Sequence, residues 1–477
     1  MFLIANGGVA AAKFMMYLMT AAFIVQLYCL AAGNRMHFLG GLFVISVLLS
    51  PIMLHVVSAG YAEPVQGCLM SSALLLLMHA KCKARDEQDE KKFSRHLLAL
   101  LGILAGTNAA VKLTGCMISF SVFCMLFLFR PAIAKEKKNL FTFVLFAFFM
   151  AAPFYLRPWI LTKSPCYPYL GEIFSVPSHA VSYYHYSLGT TKFARISFIT
   201  FLLLLPGLIF PNFSSMFDGS YGLSFLIWIL PPVITIAVLW THRHFKQKQR
   251  IAVLLSTCIL LGFMVVVWFA SSPQARFLLP YLTLMAILLR FSMFSIKQPE
   301  KKLAFAFLVV LLMFFSIPIT YGMTLLKNWE YTWSGADAKR DLLYARTGNS
   351  MLVFSELLQK EPLRSVPGKC LLVGEERTLY FPTERCLIAT PFFQDKFFPD
   401  GFIPNKDVFL KEMKEHGFSM VYFCDAENNP DMQPEFQLLW KDELQNVLNE
   451  LVKDKQMQVY QIQGNTTLYV LTQFIQQ

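Results

Sequence analysis

Long apolar runs recur through the first two thirds of the chain and constrain its fold more than any other feature of the sequence. An α-helix of about 20 apolar residues crosses the hydrocarbon core of a bilayer and satisfies its own backbone polar groups there. The sequence therefore predicts an α-helical polytopic membrane protein with about ten spans of roughly this length. The runs lie at 11–32, 39–58, 65–80, 97–113, 115–130, 140–157, 222–241, 251–270, 277–291 and 303–326.

Composition and charge agree with a membrane protein and exclude a nucleic-acid partner. Of the 477 residues, 56% are hydrophobic and only 15% are charged, whereas about a quarter of the residues of a soluble domain are charged. The net charge is +12, and the cations lie in short segments between apolar runs, as is typical of cytoplasmic loops. They do not form the single basic patch that nucleic acid requires. Membrane lipids are thus the expected surroundings.

The basic segments also predict the orientation of the chain. Segments 81–95, 130–139, 242–250 and 290–302 are rich in Lys and Arg, so we expect them on the cytoplasmic side. Runs 140–157 and 222–241 separate segment 130–139 from segment 242–250. A third crossing at 195–210 would put these two basic segments on opposite sides of the membrane, so the assignment requires that 195–210 does not cross. We interpret that run as an interfacial or re-entrant helix, interrupted at Pro206, on the outer side. The alternative is that 195–210 crosses and that another run does not.

The composition changes near residue 326, which divides the chain into two predicted domains. Residues 1–326 form the multi-span domain, with an outer loop at 158–194. Residues 327–477 combine amphipathic helical patterns with short alternating runs that are typical of strands, and they predict a small extracytoplasmic α/β domain. We interpret it as a cap over a site or as a partner surface. Its predicted helices are 405–417 and 440–454, and its predicted strands are 370–373, 386–389, 418–423, 457–462 and 467–472.

Three charged residues stand at predicted outer ends of helices, where chemistry at a membrane surface is expected. They are Glu63 in a Tyr-Ala-Glu-Pro turn, Lys112 at a helix end, and Arg276 at the start of a helix. One acid and two cations suit a phosphate or pyrophosphate group, because Arg donates a planar fork of hydrogen bonds and Lys adds a point charge. Simpler readings stay open: a solvated loop acid, a snorkelling lysine and an anchor for lipid head groups.

Aromatic residues accompany these charges in the predicted outer segments. Tyr61, Trp159 and Tyr167 are the candidates for contact with a sugar or an acceptor. Aromatic rings at this depth either anchor a protein to the membrane interface or stack on a bound ligand, and the sequence leaves both uses open. The ten cysteines show no metal-ligand spacing, so no metal site is indicated.

Four segments of the chain carry signatures in a fixed order, namely 58–70, 101–115, 152–169 and 274–282. The third contains Pro153, Tyr155, Arg157, Thr162, Pro165, Tyr167 and Pro168. In this order the segments resemble the successive signatures of the polyprenyl-phosphate-dependent membrane glycosyltransferases with the GT-C fold. The resemblance is greatest to the bacterial sugar transferases related to protein O-mannosyltransferases and aminoarabinose transferases. The third segment departs from the family pattern at Phe154, Pro158 and Lys163–Ser164.

The resemblance implies a reaction, a membrane and a set of roles. A sugar would pass from a polyprenyl-phosphate donor to a glycan, lipid or protein acceptor of the cell envelope, at the bacterial inner membrane. Lys112, Arg276 and Arg157 would contact the lipid phosphate, and fixed cations there stabilise the charge that develops on the departing phosphate. The aromatic candidates would bind sugar or acceptor. No cofactor is implied, although some relatives use a divalent metal.

The chain departs from the family at its start. The family has an acid, usually Asp, in a long outer loop after its first span, whereas this chain opens on a segment like the second span and has no acid before Glu63. We therefore expect the first span and its loop to be missing, and Glu63 acts as the catalytic base only if the site has been rebuilt. The alternatives are an inactive or truncated homologue that binds lipid-linked sugar and, less favoured, a transporter or flippase of a lipid-linked solute.

Overall fold

The computed structural model groups the chain into two compact units, which are described separately. The first comprises Met1–Cys166 and Thr191–Leu325, and the second comprises Tyr167–Thr190 and Leu326–Gln477. The residues that the structure describes are 2–32, 36–59, 61–83, 87–129, 137–166, 171–174, 208–209, 224–241, 248–271, 274–296, 298, 300, 302–314, 354, 357–373, 386–389, 405–424, 441–463 and 466–474.

The first unit is built of helices, and a helix lies at each of the ten predicted apolar runs. Among the described residues, three helical stretches are long and apolar enough to cross a membrane, namely Phe14–Ala32, Lys137–Thr162 and Ala275–Met293. The apolar stretches of other helices, such as Arg95–Val111 and Val253–Phe269, are shorter. The elements are α1 (Phe2–Ala32), α2 (His37–Leu48), α3 (Pro51–Ala59), α4 (Glu63–Lys83), α5 (Glu87–Val111), α6 (Gly115–Phe129), α7 (Lys137–Thr162), α8 (Ser224–Thr241), α9 (Lys248–Ser271), a 3-10 helix (Ala275–Tyr281), α10 (Leu282–Ser295) and α11 (Lys302–Phe314).

Burial separates a central helix of this unit from a peripheral one. In the most apolar 18-residue segment of Ala275–Met293, 78% of the residues are buried, whereas in the corresponding segment of α7 only 11% are buried. The large side chains of α7, such as Phe148, Phe149 and Ile160, are exposed, as expected for a helix in contact with lipid. The helix that follows Arg276 is therefore enclosed by its neighbours, and α7 lies at the edge of the unit.

Two predicted element boundaries are wrong. The run 39–58 forms two helices, because Ser50 caps the second one: its Oγ donates to Val47 O (2.7 Å) and accepts from Met53 N (3.4 Å), and Pro51 begins α3. The predicted end of α7 at Pro158 fails as well, since the helix continues through Pro153 and Pro158 to Thr162. Continuing the helix satisfies further backbone groups in an apolar setting, which outweighs the single N–H that each proline lacks.

The predicted outer loop begins later than expected, and much of it lies outside the described residues. Its first residues, 158–162, are helical and belong to α7, and a single helical turn follows at Gly171–Phe174. The predicted interfacial helix 195–210 also falls outside the described part of the chain, except that Leu208 and Ile209 are helical and buried.

The second unit contains a five-stranded sheet, and its strands coincide with the five predicted ones. They are β1 (Lys369–Val373), β2 (Cys386–Ala389), β3 (Phe418–Cys424), β4 (Met457–Gln463) and β5 (Thr466–Leu471). Their order in the sheet is β2-β1-β3-β5-β4. β1 pairs in parallel with β2 and β3, and β5 pairs antiparallel with β3 and β4. Helices α12 (Lys406–Glu415) and α13 (Lys441–Lys453) contribute apolar side chains to the cluster on one face of the sheet.

Candidate functional site

Three helix ends bring three charged residues together in the first unit. Glu63 is the first residue of α4, Lys112 directly follows the last residue of α5, and Arg276 is the second residue of the 3-10 helix that leads into α10. The chain direction of each helix places these termini at one common end of the unit. Glu63, Lys112 and Arg276 form what we call the acid–cation cluster.

The carboxylate of Glu63 is shared between the two cations. Its Oε1 accepts a hydrogen bond from Lys112 Nζ (3.1 Å) and lies 3.7 Å from Arg276 Nε. The Glu63 side chain is fully buried, whereas those of Lys112 and Arg276 are 33% and 14% exposed. Within the described part of the chain, Glu63 Oε2 has no hydrogen-bond partner. The cluster thus carries two positive charges that solvent reaches and one negative charge beneath them.

Both cations make cation–π contacts with aromatic rings. The guanidinium carbon of Arg276 lies 4.1 Å from the centre of the Tyr61 ring, and Lys112 Nζ lies 4.0 Å from the centre of the Phe277 ring. Each such contact is worth about 0.5–2 kcal/mol, with the larger values at desolvated sites. The rings therefore fix the positions of the charges without neutralising them.

Gln274 orients the guanidinium of Arg276. Arg276 Nη2 donates to Gln274 Oε1 (2.6 Å), and the backbone carbonyl of Gln274 accepts from Trp268 Nε1 (2.8 Å). Gln274 and Phe277 are not among the predicted site residues, although they lie within two residues of Arg276. Their nearness along the chain was the available signal, but only the 3-10 geometry shows that both face the cluster.

The turn that carries Lys112 is fixed by close packing of α5 and α6. Asn108 Nδ2 donates to the backbone carbonyl of Gln66 (3.1 Å), and Gln66 Nε2 donates to Thr114 Oγ1 (3.4 Å). Gly115 begins α6 so near to α5 that a Cβ on it would lie 1.8 Å from Asn108 O. This network connects the beginning of α4 to both sides of the Lys112 turn.

The structure does not join the other predicted site residues to the cluster. Arg157 and Trp159 lie on exposed positions of α7, and Tyr167 is outside the described residues. Tyr155, from the same sequence signature, has a packing role, because its hydroxyl donates to Ala109 O (3.1 Å) and contacts Cys116 Sγ (2.9 Å). No group of three potential metal ligands occurs among the residues whose positions are described.

The arrangement of the cluster suits the binding of an anionic group. A guanidinium has five N–H donors and an ammonium has three, and the side chains of Arg276 and Lys112 are both partly exposed. Glu63 lowers the repulsion between the two cations, so they stay close together before a ligand arrives. A phosphate group matches two cations at this spacing.

These features define a helical membrane protein with an acid–cation cluster at one end of its helices. The chain belongs to the family described as a domain of unknown function (DUF8201), whose model matches residues 9–283. All three residues of the cluster lie within that match. No curated protein matches the chain.

Solved structures resemble the chain at low sequence identity. ArnT from Cupriavidus metallidurans in the apo state has a TM-score of 0.50 and 11% identity, over 97% of this chain and 84% of that one. ArnT bound to undecaprenyl phosphate gives 0.49 and 12%, over 96% and 83%. The archaeal oligosaccharyltransferase AglB from Archaeoglobus fulgidus, in complex with an inhibitory peptide and a dolichol-phosphate, gives 0.40 and 13%, over 87% and 58%. The likeness to apo ArnT shows that the chain has a fold of this kind.

Proposed function

We propose that the chain is an integral-membrane glycosyltransferase that moves a sugar from a polyprenyl-phosphate donor to an acceptor of the cell envelope. The observation that supports this most is the acid–cation cluster, in which one buried carboxylate holds two partly exposed cations at a helix end. The fold likeness adds support, because ArnT has also been crystallised with undecaprenyl phosphate. The proposed site is on the extracytoplasmic side of a bacterial inner membrane, the side on which we also propose the second unit.

The donor phosphate would bind to Lys112 and Arg276 in this proposal. An acceptor hydroxyl oxygen attacks the anomeric carbon of the sugar, and the bond between that carbon and the phosphate oxygen breaks. The electron pair leaves with the phosphate, whose added charge is stabilised by the two fixed cations. We assign Arg157 as a further phosphate contact, and Tyr61, Trp159 and Tyr167 to the sugar or acceptor.

Glu63 has two parts in the proposed reaction, one for each carboxylate oxygen. Oε1 keeps Lys112 and Arg276 in place through the contacts of 3.1 and 3.7 Å. Oε2, which has no partner within the described residues, accepts the proton of the attacking hydroxyl. A general base must lie within hydrogen-bond reach of the proton that it removes, so the acceptor would have to enter beside the phosphate.

Binding of undecaprenyl phosphate to the purified protein in lipid nanodiscs tests the site. Loss of one charge-assisted hydrogen bond costs about 1.5–3 kcal/mol, so we expect Lys112→Met and Arg276→Met each to weaken binding by about 10- to 100-fold. Glu63→Gln should keep binding near the wild-type level, because the amide oxygen can still accept from Lys112, but should abolish transfer from a polyprenyl-phosphate sugar.

Matched variants at exposed positions away from the cluster control for a general loss of charge. Lys138→Met at the start of α7 and Arg95→Gln in α5 are exposed, and we expect both to bind like the wild type. Unchanged binding in both cluster variants would rule out the assignment of the phosphate site. Unchanged transfer by Glu63→Gln would remove only the assignment of the base.

A further inference from the structure

A groove lies at the end of the first unit that is opposite to the acid–cation cluster. It has a volume of about 480 Å³ and lies between the beginnings of α2 and α11. Helix α10 leads away from the Arg276 end for 14 residues before the chain reaches this groove, a length of about 21 Å at 1.5 Å per residue. This is the end that we predict to be cytoplasmic. The groove is lined by Phe38, Leu39, Glu300, Lys302, Leu303 and Ala306.

The wall of the groove is apolar and faces outward. Phe38 and Leu303 are 66% and 72% exposed, while Leu39 and Ala306 are buried at its base. In a protein that lies in a bilayer, exposed apolar side chains of this kind contact lipid chains. The volume falls within the range of about 300–1,000 Å³ that is usual for small-molecule sites, so a lipid chain can lie in the groove.

The only charges that line the groove among the described residues are one acid and one cation, Glu300 and Lys302. The described part of the chain records no ion pair between them or with another residue. Each charge is therefore available to a ligand that carries the opposite one. A ligand with a cation and an anion close together would satisfy both.

We propose that this groove binds one bilayer phospholipid whose head group joins a primary amine to a phosphate, as in phosphatidylethanolamine. The phosphate contacts Lys302, the ammonium contacts Glu300, and one acyl chain lies along Phe38 and Leu303. This inference concerns lipid binding alone and does not depend on the proposed transferase activity.

Charge and hydrogen bonding select this head group over two others. A purely anionic head group such as phosphatidylglycerol would place its negative charge near Glu300, and like charges brought together oppose binding. A choline head group carries a quaternary ammonium, which has no N–H to donate to a carboxylate and which is bound best in a cage of aromatic rings. Phe38 is the single aromatic residue among the described residues that line the groove.

Native mass spectrometry of the full-length protein, titrated with lipids of identical acyl chains, tests the proposal. We expect one phosphatidylethanolamine molecule to be retained about 10-fold more strongly than phosphatidylglycerol or phosphatidylcholine, a ratio that corresponds to about 1.4 kcal/mol. Lys302→Met should weaken retention of phosphatidylethanolamine by a similar factor. Glu300→Gln should reverse the order, so that phosphatidylglycerol is retained more strongly than phosphatidylethanolamine.

The reversal distinguishes a head-group site from a loss of folding, which would lower retention of all three lipids together. Glu443→Gln, at an exposed position in the second unit, is the matched control and should keep the wild-type order. Equal retention of the three lipids by the wild type, or an unchanged order in Glu300→Gln, would overturn the proposal.

Discussion

Gly115 offers a sharp test of the packing that positions the candidate site. A Cβ at this residue would lie 1.8 Å from the backbone oxygen of Asn108, 2.5 Å from the backbone carbon of the same residue and 3.0 Å from Gln66 Nε2. The first two atoms belong to the backbone of α5, so they cannot move away by a change of side-chain rotamer. The substitution Gly115→Ala therefore has to push α5 and α6 apart.

The size of the expected effect follows from these distances. Ordinary contacts begin at 3.4 Å, so the two helices would have to separate by about 1.6 Å at this point, and overpacking of this kind costs about 1–3 kcal/mol. Lys112 lies three residues earlier in the same turn, and Gly115 N donates to its carbonyl (2.7 Å). The movement would lengthen the 3.1 Å contact between Lys112 Nζ and Glu63 Oε1 beyond the usual range of a charge-assisted hydrogen bond.

Thermal unfolding in detergent, followed by tryptophan fluorescence, measures the cost in stability, and binding of undecaprenyl phosphate measures the cost at the site. We expect Gly115→Ala to lower both the melting temperature and the affinity. Gly262→Ala is the control, because an added Cβ there meets no heavy atom within 4 Å. Alanine is favoured over glycine in a helix by about 1 kcal/mol, so this variant should melt at or slightly above the wild type.

The two glycine variants thus have expected effects of opposite sign for the same chemical change. If Gly115→Ala melts at or above the wild-type temperature, the close approach of α5 to α6 is refuted. If it melts lower but binds undecaprenyl phosphate as the wild type does, the argument that this turn positions Lys112 fails.

Two further predictions concern the interior of each unit. Trp228 is buried, and its Nε1 donates a hydrogen bond to Ser46 Oγ (3.0 Å). Trp228→Phe should therefore lower the melting temperature, because it removes a hydrogen bond worth about 1 kcal/mol. An unchanged melting temperature would contradict this prediction. Leu448 is fully buried against the sheet, so Leu448→Ala should cost about 2–5 kcal/mol and make the second unit more sensitive to limited proteolysis. Asn446→Ala, at an exposed position of the same helix, is the control, and equal sensitivity of the two variants would refute the buried position of Leu448.

The sequence predicts the positions of the elements better than their interruptions. Apolar runs about 20 residues long favour helices whatever their neighbours are, so each predicted run contains one. The break between α2 and α3 was also readable, because Ser50 followed by Pro51 is a helix cap followed by a favoured first residue. The predicted helix end before Pro158 is wrong, because the free-energy cost of one proline near the end of an apolar helix is smaller than its low helix propensity suggests.

The candidate site was predictable residue by residue, but its geometry was not. Charges at apolar helix ends single out Glu63, Lys112 and Arg276 in the sequence. That Lys112 and Arg276 share one carboxylate oxygen of Glu63 depends on how α4, α5 and the 3-10 helix pack, which no local pattern contains. The contacts of Tyr61 with Arg276 and of Phe277 with Lys112 depend on the same packing, as does the separation of Trp159 from them.

The separation of the cluster residues along the chain has a consequence during synthesis. Glu63 and Lys112 leave the ribosome close together, whereas Arg276 follows more than 150 residues later, in Ala275–Met293, the most buried of the three described candidate spans. Until that helix arrives, the partly exposed Lys112 is the one counter-charge of the carboxylate among the residues described. The two-cation arrangement is therefore absent from any nascent chain that ends before α10, and it forms only when the central helix has taken its place among those made earlier.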